Sequence, residues 1–216
     1  MQTDNANAET RQAPDESPNP KEQVVLRAAR AVFLAHGFSA ATTDMIQREA
    51  KVSKSTVYAH YPNKEDLFIA VVEAECASHT RKLRDIEFRP GMLRETLTTL
   101  ARAYATIVLS QAGLALFRIV IAEAPRFPAL ARTFYLAGPS VAAELVAEHL
   151  ADAVARGELD LGELGRDAAA RQFINLVRSE PQLECLTHPD AAPSAAQIDQ
   201  WVAAAVTTFV RAYGRG

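Results

Sequence analysis

VSKSTVYAHYPNKEDLF (residues 52–68) crowds hydroxyl, imidazole and ammonium side chains into one short segment. Ser53 is a favoured residue for the N-terminal cap of a helix, and Pro62 ends a helix because it lacks a backbone donor and its ring clashes with the preceding turn. The pattern therefore predicts a helix of about two turns, beginning at Lys54, with Val57 as its main apolar anchor. Its remaining positions are polar and free to face a partner.

Longer helices are predicted on both sides of this segment. Cap residues and apolar periodicity indicate helices at about 20–36, 44–50 and 64–85, and Gly37 is expected to stop the first of them. Two short helices joined by a tight turn and preceded by a longer helix are typical of a helix-turn-helix, whose second helix enters the major groove of DNA. Residues 54–60 are predicted to form that second helix.

The distribution of charge agrees with a nucleic-acid partner at this end of the chain. Residues 21–64 carry seven basic and three acidic side chains, a net charge of +4, whereas the whole chain has a net charge of −3. A basic module beside an acidic body is expected when one end of a protein meets phosphate. The alternative for 52–64 is a solvated polar helix without a partner.

The candidate DNA contacts follow from side-chain chemistry. Ser53 and Lys54 suit phosphates at the start of the helix, while Ser55, Thr56 and Tyr58 can offer hydroxyl groups to base edges. His60 and Lys64 extend the footprint to flanking phosphates.

Residues 21–68 resemble the N-terminal DNA-binding domain of the tetracycline-repressor (TetR) family. The match rests on Thr43, Ile46, Ala50, Val52, Ser53, Lys54, Thr56, Tyr58, Lys64, Glu65 and Leu67. The resemblance implies that Thr43 and Lys64 touch phosphates and that the DNA face holds Ser53, Lys54, Ser55, Thr56, Tyr58 and His60. Tyr61, which stands where the family usually has phenylalanine, completes the candidate set, with a place in the helix core as its alternative. Lys51 and Ser55 replace two glycines of the family pattern.

The rest of the chain is predicted to be entirely helical, because it lacks alternating β-branched runs bounded by hairpin turns. Helices are expected at about 92–110, 113–124, 126–137, 139–156, 164–179 and 195–213. The predicted organisation is an all-α chain with a disordered tail at 1–18, a three-helix DNA-binding domain at 19–66 and a helical regulatory and dimerisation domain at 67–216.

Residues 117–150 are similar to the C-terminal domain of AefR-like repressors. This resemblance implies dimerisation through the last helices and a pocket for a small hydrophobic or amphipathic molecule. The apolar stripes that we assign to a homodimer contact, with an intramolecular core as the alternative, contain Phe173, Val177, Trp201, Val202, Ala205 and Phe209. The candidate pocket residues, each with plain core packing as its alternative, are Tyr104, Phe117, Arg118, Phe134, Tyr135, His149, Phe173 and Arg178.

Within the candidate pocket, Arg118 is the expected ligand anchor, although pairing with Glu123 or Glu144 would serve as structure alone. Cys76 with His79, and Cys185 with His188, have the spacing of metal ligands on one helix face, which leaves open a zinc-dependent sensor or enzyme.

The leading hypothesis is a cytoplasmic, homodimeric repressor that binds a palindromic operator in double-stranded DNA and is released by a small molecule. No cofactor, bound metal or membrane partner is expected, and no catalytic motif indicates an enzyme. A DNA-binding regulator without a small-molecule ligand remains the second hypothesis.

Overall fold

The computed structural model describes residues 19–87, 89–190 and 192–215. The α-helices of these ranges are α1 (Pro20–Ala40), α2 (Thr43–Ala50), α3 (Lys54–His60), α4 (Lys64–Arg84), α5 (Leu93–Val108), α6 (Gln111–Glu123), α7 (Pro128–Tyr135), α8 (Val141–Ala155), α9 (Arg166–Thr187) and α10 (Ala195–Tyr213). The described ranges contain no strand, which confirms the all-α prediction. The predicted tail at 1–18 lies outside the described residues.

Side-chain caps begin the helices of the N-terminal region. The Asn19 side chain accepts a hydrogen bond from the amide of Lys21 at 3.0 Å, and the Thr42 hydroxyl accepts one from the amide of Met45 at 3.2 Å. Gly37 has a φ of +76° and interrupts the helical conformation of α1. The expected stop at Gly37 is thus present as a break, after which α1 continues to Ala40, and Thr42 is the cap of α2.

The turn between α2 and α3 depends on a lysine in a left-handed conformation. Lys51 has φ 54° and ψ 40°, and it is the one non-glycine residue with positive φ in the described ranges. A side chain here brings Cβ close to the carbonyl oxygen and costs about 1–2 kcal/mol. The turn tolerates this cost at a position where the family pattern has glycine.

Two apolar clusters form the core, and α4 and α6 contribute to both. The N-terminal cluster is built by α1 to α4, with Phe33, Phe38 and Phe68 in mutual ring contact at its centre. Leu116 of α6 joins this cluster, whereas Leu114 of the same helix belongs to the C-terminal cluster. The two helices therefore connect the DNA-binding region to the body of the protein.

The C-terminal cluster corrects the assignment of the dimer stripe. The sides of α9 and α10 that carry the stripe face inward, because Phe173 and Phe209 pack edge to face at a centroid distance of 5.1 Å and are fully buried. Trp201 is half-buried against the same cluster. Five side chains of the predicted interface are buried within the chain itself, so their assignment to a dimer contact was wrong. They are Phe173, Val177, Val202, Ala205 and Phe209. The alternative of an intramolecular core is correct for them.

Two helix boundaries also differ from the prediction. α9 continues through Pro181 to Thr187 instead of ending near residue 179, because Pro181 and Cys185 are buried in contacts that outweigh the missing amide donor of the proline. The expected break at Gly138-Pro139 is a π-helical turn, Leu136–Ser140, that links α7 to α8. The predicted helix at 195–213 is confirmed by α10.

No single helix among the described residues is long and apolar enough to cross a membrane. The α5–α6 pair reaches the required length and composition only when the two helices are taken together, across a bend of 63°.

Candidate nucleic-acid interface and ligand cavity

The surface of α3 is mostly exposed. Val57 is its buried residue, whereas Lys54, Ser55 and Tyr58 are exposed and Thr56 is half-buried. Tyr58, a large aromatic side chain, has 44% of its surface exposed. A helix of two turns with one buried anchor gains little stability from its own packing, so its other side chains are free to contact a partner.

Hydroxyl groups cluster at the N-terminus of α3. The Oγ atom of Ser53 accepts a hydrogen bond from the amide of Thr56 at 3.1 Å and lies 2.8 Å from both Ser55 Oγ and Thr56 Oγ1. These contacts fix the orientation of three hydroxyl groups at the end of the helix where backbone amides are free.

Two contacts connect α3 to the start of α2. The Tyr58 hydroxyl donates to Thr43 Oγ1 at 3.4 Å, and Lys54 Nζ lies 2.9 Å from Asp44 Oδ1. The hydrogen bond and charge of Asp44 raise the pKa of Lys54. Both members of the ion pair are half-exposed, so the pair is weak and a phosphate can compete for Lys54.

Tyr61 and Lys64 face the protein, which corrects their assignment to the DNA face. The buried Tyr61 donates from its hydroxyl to Glu22 Oε1 at 3.1 Å, and burial, followed by the charge of Glu22, raises its pKa to about 12. Lys64 Nζ donates to the carbonyl oxygens of Phe38 at 2.9 Å and Ala41 at 3.1 Å, with Ser39 O at 3.4 Å. Its three donors are used, so Lys64 closes the end of α1 rather than binding a phosphate. His60 is half-buried at the end of α3.

A narrow cavity lies in the C-terminal body. The space between its wall atoms, including the part that is open to solvent, is about 620 Å³, and α4, α5, α6 and α9 supply most of its wall. The predicted pocket residues that line it are Tyr104, Phe117, Phe134 and Arg178. Phe173 lines a smaller recess that shares Tyr104 and Leu83 with the cavity.

Three predicted pocket residues lie elsewhere. Arg118 Nη2 donates to the carbonyl oxygens of Cys185 at 2.9 Å and Leu186 at 3.5 Å, so it stabilises the end of α9. Tyr135 is 56% exposed and lines a separate surface cleft. His149 is half-buried on α8 outside the cavity, and burial lowers its pKa. Helical periodicity identifies a buried face but does not distinguish a cavity wall from close packing, which explains these errors.

The contributions of α4 and of the extended α9 to the cavity wall were not predicted. Cys76, His79 and Thr80 of α4 and Gln182 of α9 line the cavity. Cys76 and His79 were singled out by their spacing in the sequence, but as metal ligands rather than as cavity residues. Gln182 lies beyond the predicted end of its helix, and no signal in the sequence indicated it.

The zinc alternative lacks a ligand set. Among the described residues, no group of three or more His, Cys, Asp and Glu side chains is placed to hold a metal ion. Cys76 is buried, and burial followed by the charges of Glu75 and Glu73 raises its pKa to about 11. His188 is exposed, with Nδ1 3.0 Å from the carbonyl oxygen of Glu184. The two Cys-His pairs therefore do not form the tetrahedral site that this alternative requires.

Comparison with known families gives two matches. Residues 25–71 match the model for bacterial regulatory proteins of the tetR family, and residues 95–215, more than half of the chain, match the C-terminal domain of AefR-like transcriptional repressors. The chain belongs to the TetR family. This membership confirms the resemblance seen in the sequence, and the matched domains are those of transcription regulators rather than enzymes.

Solved TetR-family structures share the fold. A TetR-family transcriptional regulator from Mesorhizobium loti is 27% identical, with a TM-score of 0.80, over 90% of this chain and 97% of the other. The flavonoid-responsive regulator FrrA is 36% identical, with a TM-score of 0.74 and the same coverage of both chains. The repressor AcnR of Corynebacterium glutamicum is 27% identical over 86 residues, which are 38% of this chain and 46% of AcnR. The chain spans about half the length of the curated relatives that it matches.

In this TetR-family chain, the two matched ranges divide the candidate sites. The α3 surface lies within the N-terminal match, and most of the cavity wall lies within the C-terminal match. The cavity residues of α4, from Cys76 to Leu83, fall between the two ranges. The first part of α4, residues 64–71, thus lies within the N-terminal match, whereas its remainder, residues 72–84, lies between the two matched ranges.

Proposed function

We propose that this chain is a homodimeric repressor that binds a palindromic operator through α3 and leaves it when a small amphipathic molecule occupies the cavity. The observation that carries the proposal is the surface of α3, which exposes oriented hydroxyl groups and an aromatic ring while burying Val57. Such a surface fits the polar edges of the major groove, where hydroxyl groups can donate or accept.

The contacts of α3 are assigned as follows. Ser55, Thr56 and Tyr58 read base edges, because they lie on the open side of the helix. Thr43 and Ser53 contact phosphates from the starts of α2 and α3, and Lys54 joins them by exchanging Asp44 for a phosphate. His60 lies at the far end of the footprint.

A dimer is required for useful specificity. One recognition helix reads only a few base pairs, so two copies must occupy half-sites about 34–36 Å apart. The outer face of α9 and α10 supports self-association, since it exposes Leu176 and Leu183 at 43% and 57% and forms a groove between the two helices. We assign the dimer contact to this outer face, in place of the inward stripe.

Two helices connect the cavity to the DNA-binding region. α4 lines the cavity near Cys76 and Leu83, and its first residue, Lys64, holds the end of α1. α6 lines the cavity with Phe117, and its last residue, Glu123, accepts a hydrogen bond from Ser39 Oγ at 2.5 Å. A molecule that favours a different arrangement of these helices would change the separation of the two α3 helices and so release DNA.

The small-molecule response has independent support from a relative. FrrA, whose similarity extends over nearly its whole length, carries the description flavonoid-responsive. The second hypothesis, a regulator without a ligand, requires a closed and fully packed body, and the cavity counts against it.

Titration of a selected operator tests the proposal. Fragments enriched from a random DNA pool by the purified full chain define the duplex, and fluorescence anisotropy measures its affinity at several salt concentrations. We expect two chains per duplex, two half-sites about one helical turn apart and an affinity that falls steeply with salt. One chain per duplex, or binding that barely responds to salt, would contradict operator recognition by a phosphate-anchored dimer.

A further inference from the structure

The polar part of the cavity wall is cationic. Arg178 lines the cavity, no Asp or Glu side chain does so, and Arg178 forms no ion pair with any described carboxylate. Burial lowers the pKa of His79, so this imidazole is uncharged at neutral pH and Arg178 is the cation of the wall. Arg178 is half-buried beside apolar surface and hydrogen-bonds the Tyr104 side chain, so its guanidinium is available to bind the negative charge of a ligand.

A polar side chain without a partner lies at the same place. Gln182 lies one turn after Arg178 on α9 and is 92% buried, since its relative exposure is 8%. It lines the cavity, and its amide makes no hydrogen bond to another described residue. The amide atoms are not among the fully enclosed unpaired atoms of the described residues, so the amide opens into the cavity, where a ligand can supply its missing partner.

The remaining wall selects the body of the ligand. Phe117 and Phe134 meet at a centroid distance of 6.3 Å and an interplanar angle of 62°, next to aliphatic side chains. Tyr104 lies beside Arg178 at the polar end; burial raises its pKa and the guanidinium opposes that rise. The cavity thus has an aromatic apolar part and a donor-rich end, which suits a ring compound with one acidic oxygen.

We propose that the effector is an aromatic weak acid whose carboxylate or phenolic oxygen is bound by Arg178 and Gln182 while its ring body packs on Phe117 and Phe134. This inference rests on the proposed function only in taking the cavity as the effector site. The planar fork of Arg178 matches an oxyanion with two donors, and the Gln182 amide can add a third.

Matched probe pairs test the charge requirement in the unmodified full chain. Calorimetric titration without DNA compares cinnamate with methyl cinnamate, and naringenin with flavanone, which has the same ring skeleton without hydroxyl groups. We expect at least one acidic probe to bind roughly tenfold or more tightly than its neutral match, as for hydrogen bonds to a charged group. A preference for cinnamate over its ester would identify a carboxylate as the acidic group, and a preference for naringenin over flavanone would identify a phenol. Equal affinity within both pairs, or no binding of either acid, would overturn the inference.

Substitutions assign the preference to the two residues. Arg178→Met removes the charge at similar length and is expected to abolish the acid preference, Arg178→Lys to retain part of it, and Gln182→Leu to weaken acid binding severalfold. Arg171→Met is the matched control, since Arg171 is an exposed arginine on the same helix outside the cavity. An acid preference that survives in a folded Arg178→Met variant would contradict the assignment. If that variant does not fold, the comparison of probe pairs in the unmodified chain still decides.

A separate assay distinguishes this inference from the proposed function. The same probes are added to the complex of the protein with its operator, and DNA release is measured. Acid-selective binding without DNA release would support this inference and contradict ligand-released repression. DNA release by neutral probes without any acid preference would support the proposed function and overturn this inference.

Discussion

Residues of α3 and of the turn after it divide into those that face solvent and those that hold the fold. Tyr58 and Tyr61 are three positions apart, yet Tyr58 is 44% exposed and Tyr61 only 9%. The Tyr58 hydroxyl contacts Thr43 at the edge of the surface, whereas the Tyr61 hydroxyl binds Glu22 of α1. The same side-chain chemistry is therefore left open to a partner at one position and used to hold the fold at the other.

These two tyrosines make a matched pair for mutagenesis. Tyr58→Ala is expected to weaken operator affinity roughly tenfold or more, because it removes a groove contact, while changing stability by less than about 0.5 kcal/mol. Tyr61→Phe is expected to leave operator affinity unchanged and to lower the free energy of unfolding by about 1 kcal/mol through loss of one hydrogen bond. Anisotropy and urea unfolding measure both. The reverse pattern would mean that the two side chains have exchanged roles.

The left-handed turn residue makes a second prediction at this scale. Lys51→Gly is expected to raise the free energy of unfolding by about 1 kcal/mol, since glycine adopts φ 54° without the Cβ clash. Lys51→Ala is the control, because it removes the charge and keeps the Cβ atom. Equal stability of the two variants in urea unfolding would show that the turn is not strained.

Among the elements, α4 and α6 have the double role of core helix and connector. Each contributes side chains to the cavity wall and makes a polar contact with the end of α1. For α4 the contact is made by its first residue, Lys64, and for α6 by its last residue, Glu123. The contact of α6 is partly buried: Glu123 has 8% exposure, whereas Ser39, which donates to it, is exposed. This hydrogen bond joins α6 to the end of α1.

Ser39→Ala tests this contact. We expect the free energy of unfolding to fall by about 1 kcal/mol, because the Glu123 carboxylate loses a donor that water can partly replace at the exposed Ser39 position. On the proposed mechanism, the ratio of operator affinities without and with effector should also decrease, while effector affinity stays the same. Ser78→Ala, at an exposed serine of α4, is the control. An unchanged ratio in a measurably destabilised Ser39→Ala protein would exclude this contact from the coupling route.

For the whole molecule, the inner and outer faces of α9 and α10 have different roles. The inner faces complete the C-terminal core, where Phe173 and Phe209 are fully buried. The outer faces expose Leu176 and Leu183 beside a groove between the helices. An exposed apolar surface of this kind favours association with a second copy, which the proposed palindromic operator would also require.

A pair of substitutions on α9 separates the two faces. Leu176→Glu is expected to convert the dimer to a folded monomer, since it places a charge in the proposed contact. Phe173→Ala is expected to cost about 3–5 kcal/mol of stability through a core cavity. Light scattering after size exclusion, with thermal unfolding, distinguishes these results. A Leu176→Glu protein that remains fully dimeric would place the dimer contact elsewhere.

Local signals predicted much of the fold and the exposed polar surface of α3. The first four helices were predicted from cap residues, from Gly37 and Pro62, and from apolar residues that recur every three to four positions. The bounds predicted for α10 are those observed. These features depend on neighbours within a few residues, so they can be found in the sequence. The continuation of α9 could not be predicted, because the proline rule was outweighed by burial of Pro181 against distant residues.

The sequence by itself determined the all-α class, the helix-turn-helix and the membership of a family, because caps, helical periodicity and the recognition pattern are local properties. Only the tertiary structure decided which apolar face is core and which is free, and that Tyr61 and Lys64 serve the fold. It also showed that Gln182 lines the cavity beside the predicted Arg178, whereas Arg118 does not. A helical stripe states that a face is covered, but long-range packing decides what covers it.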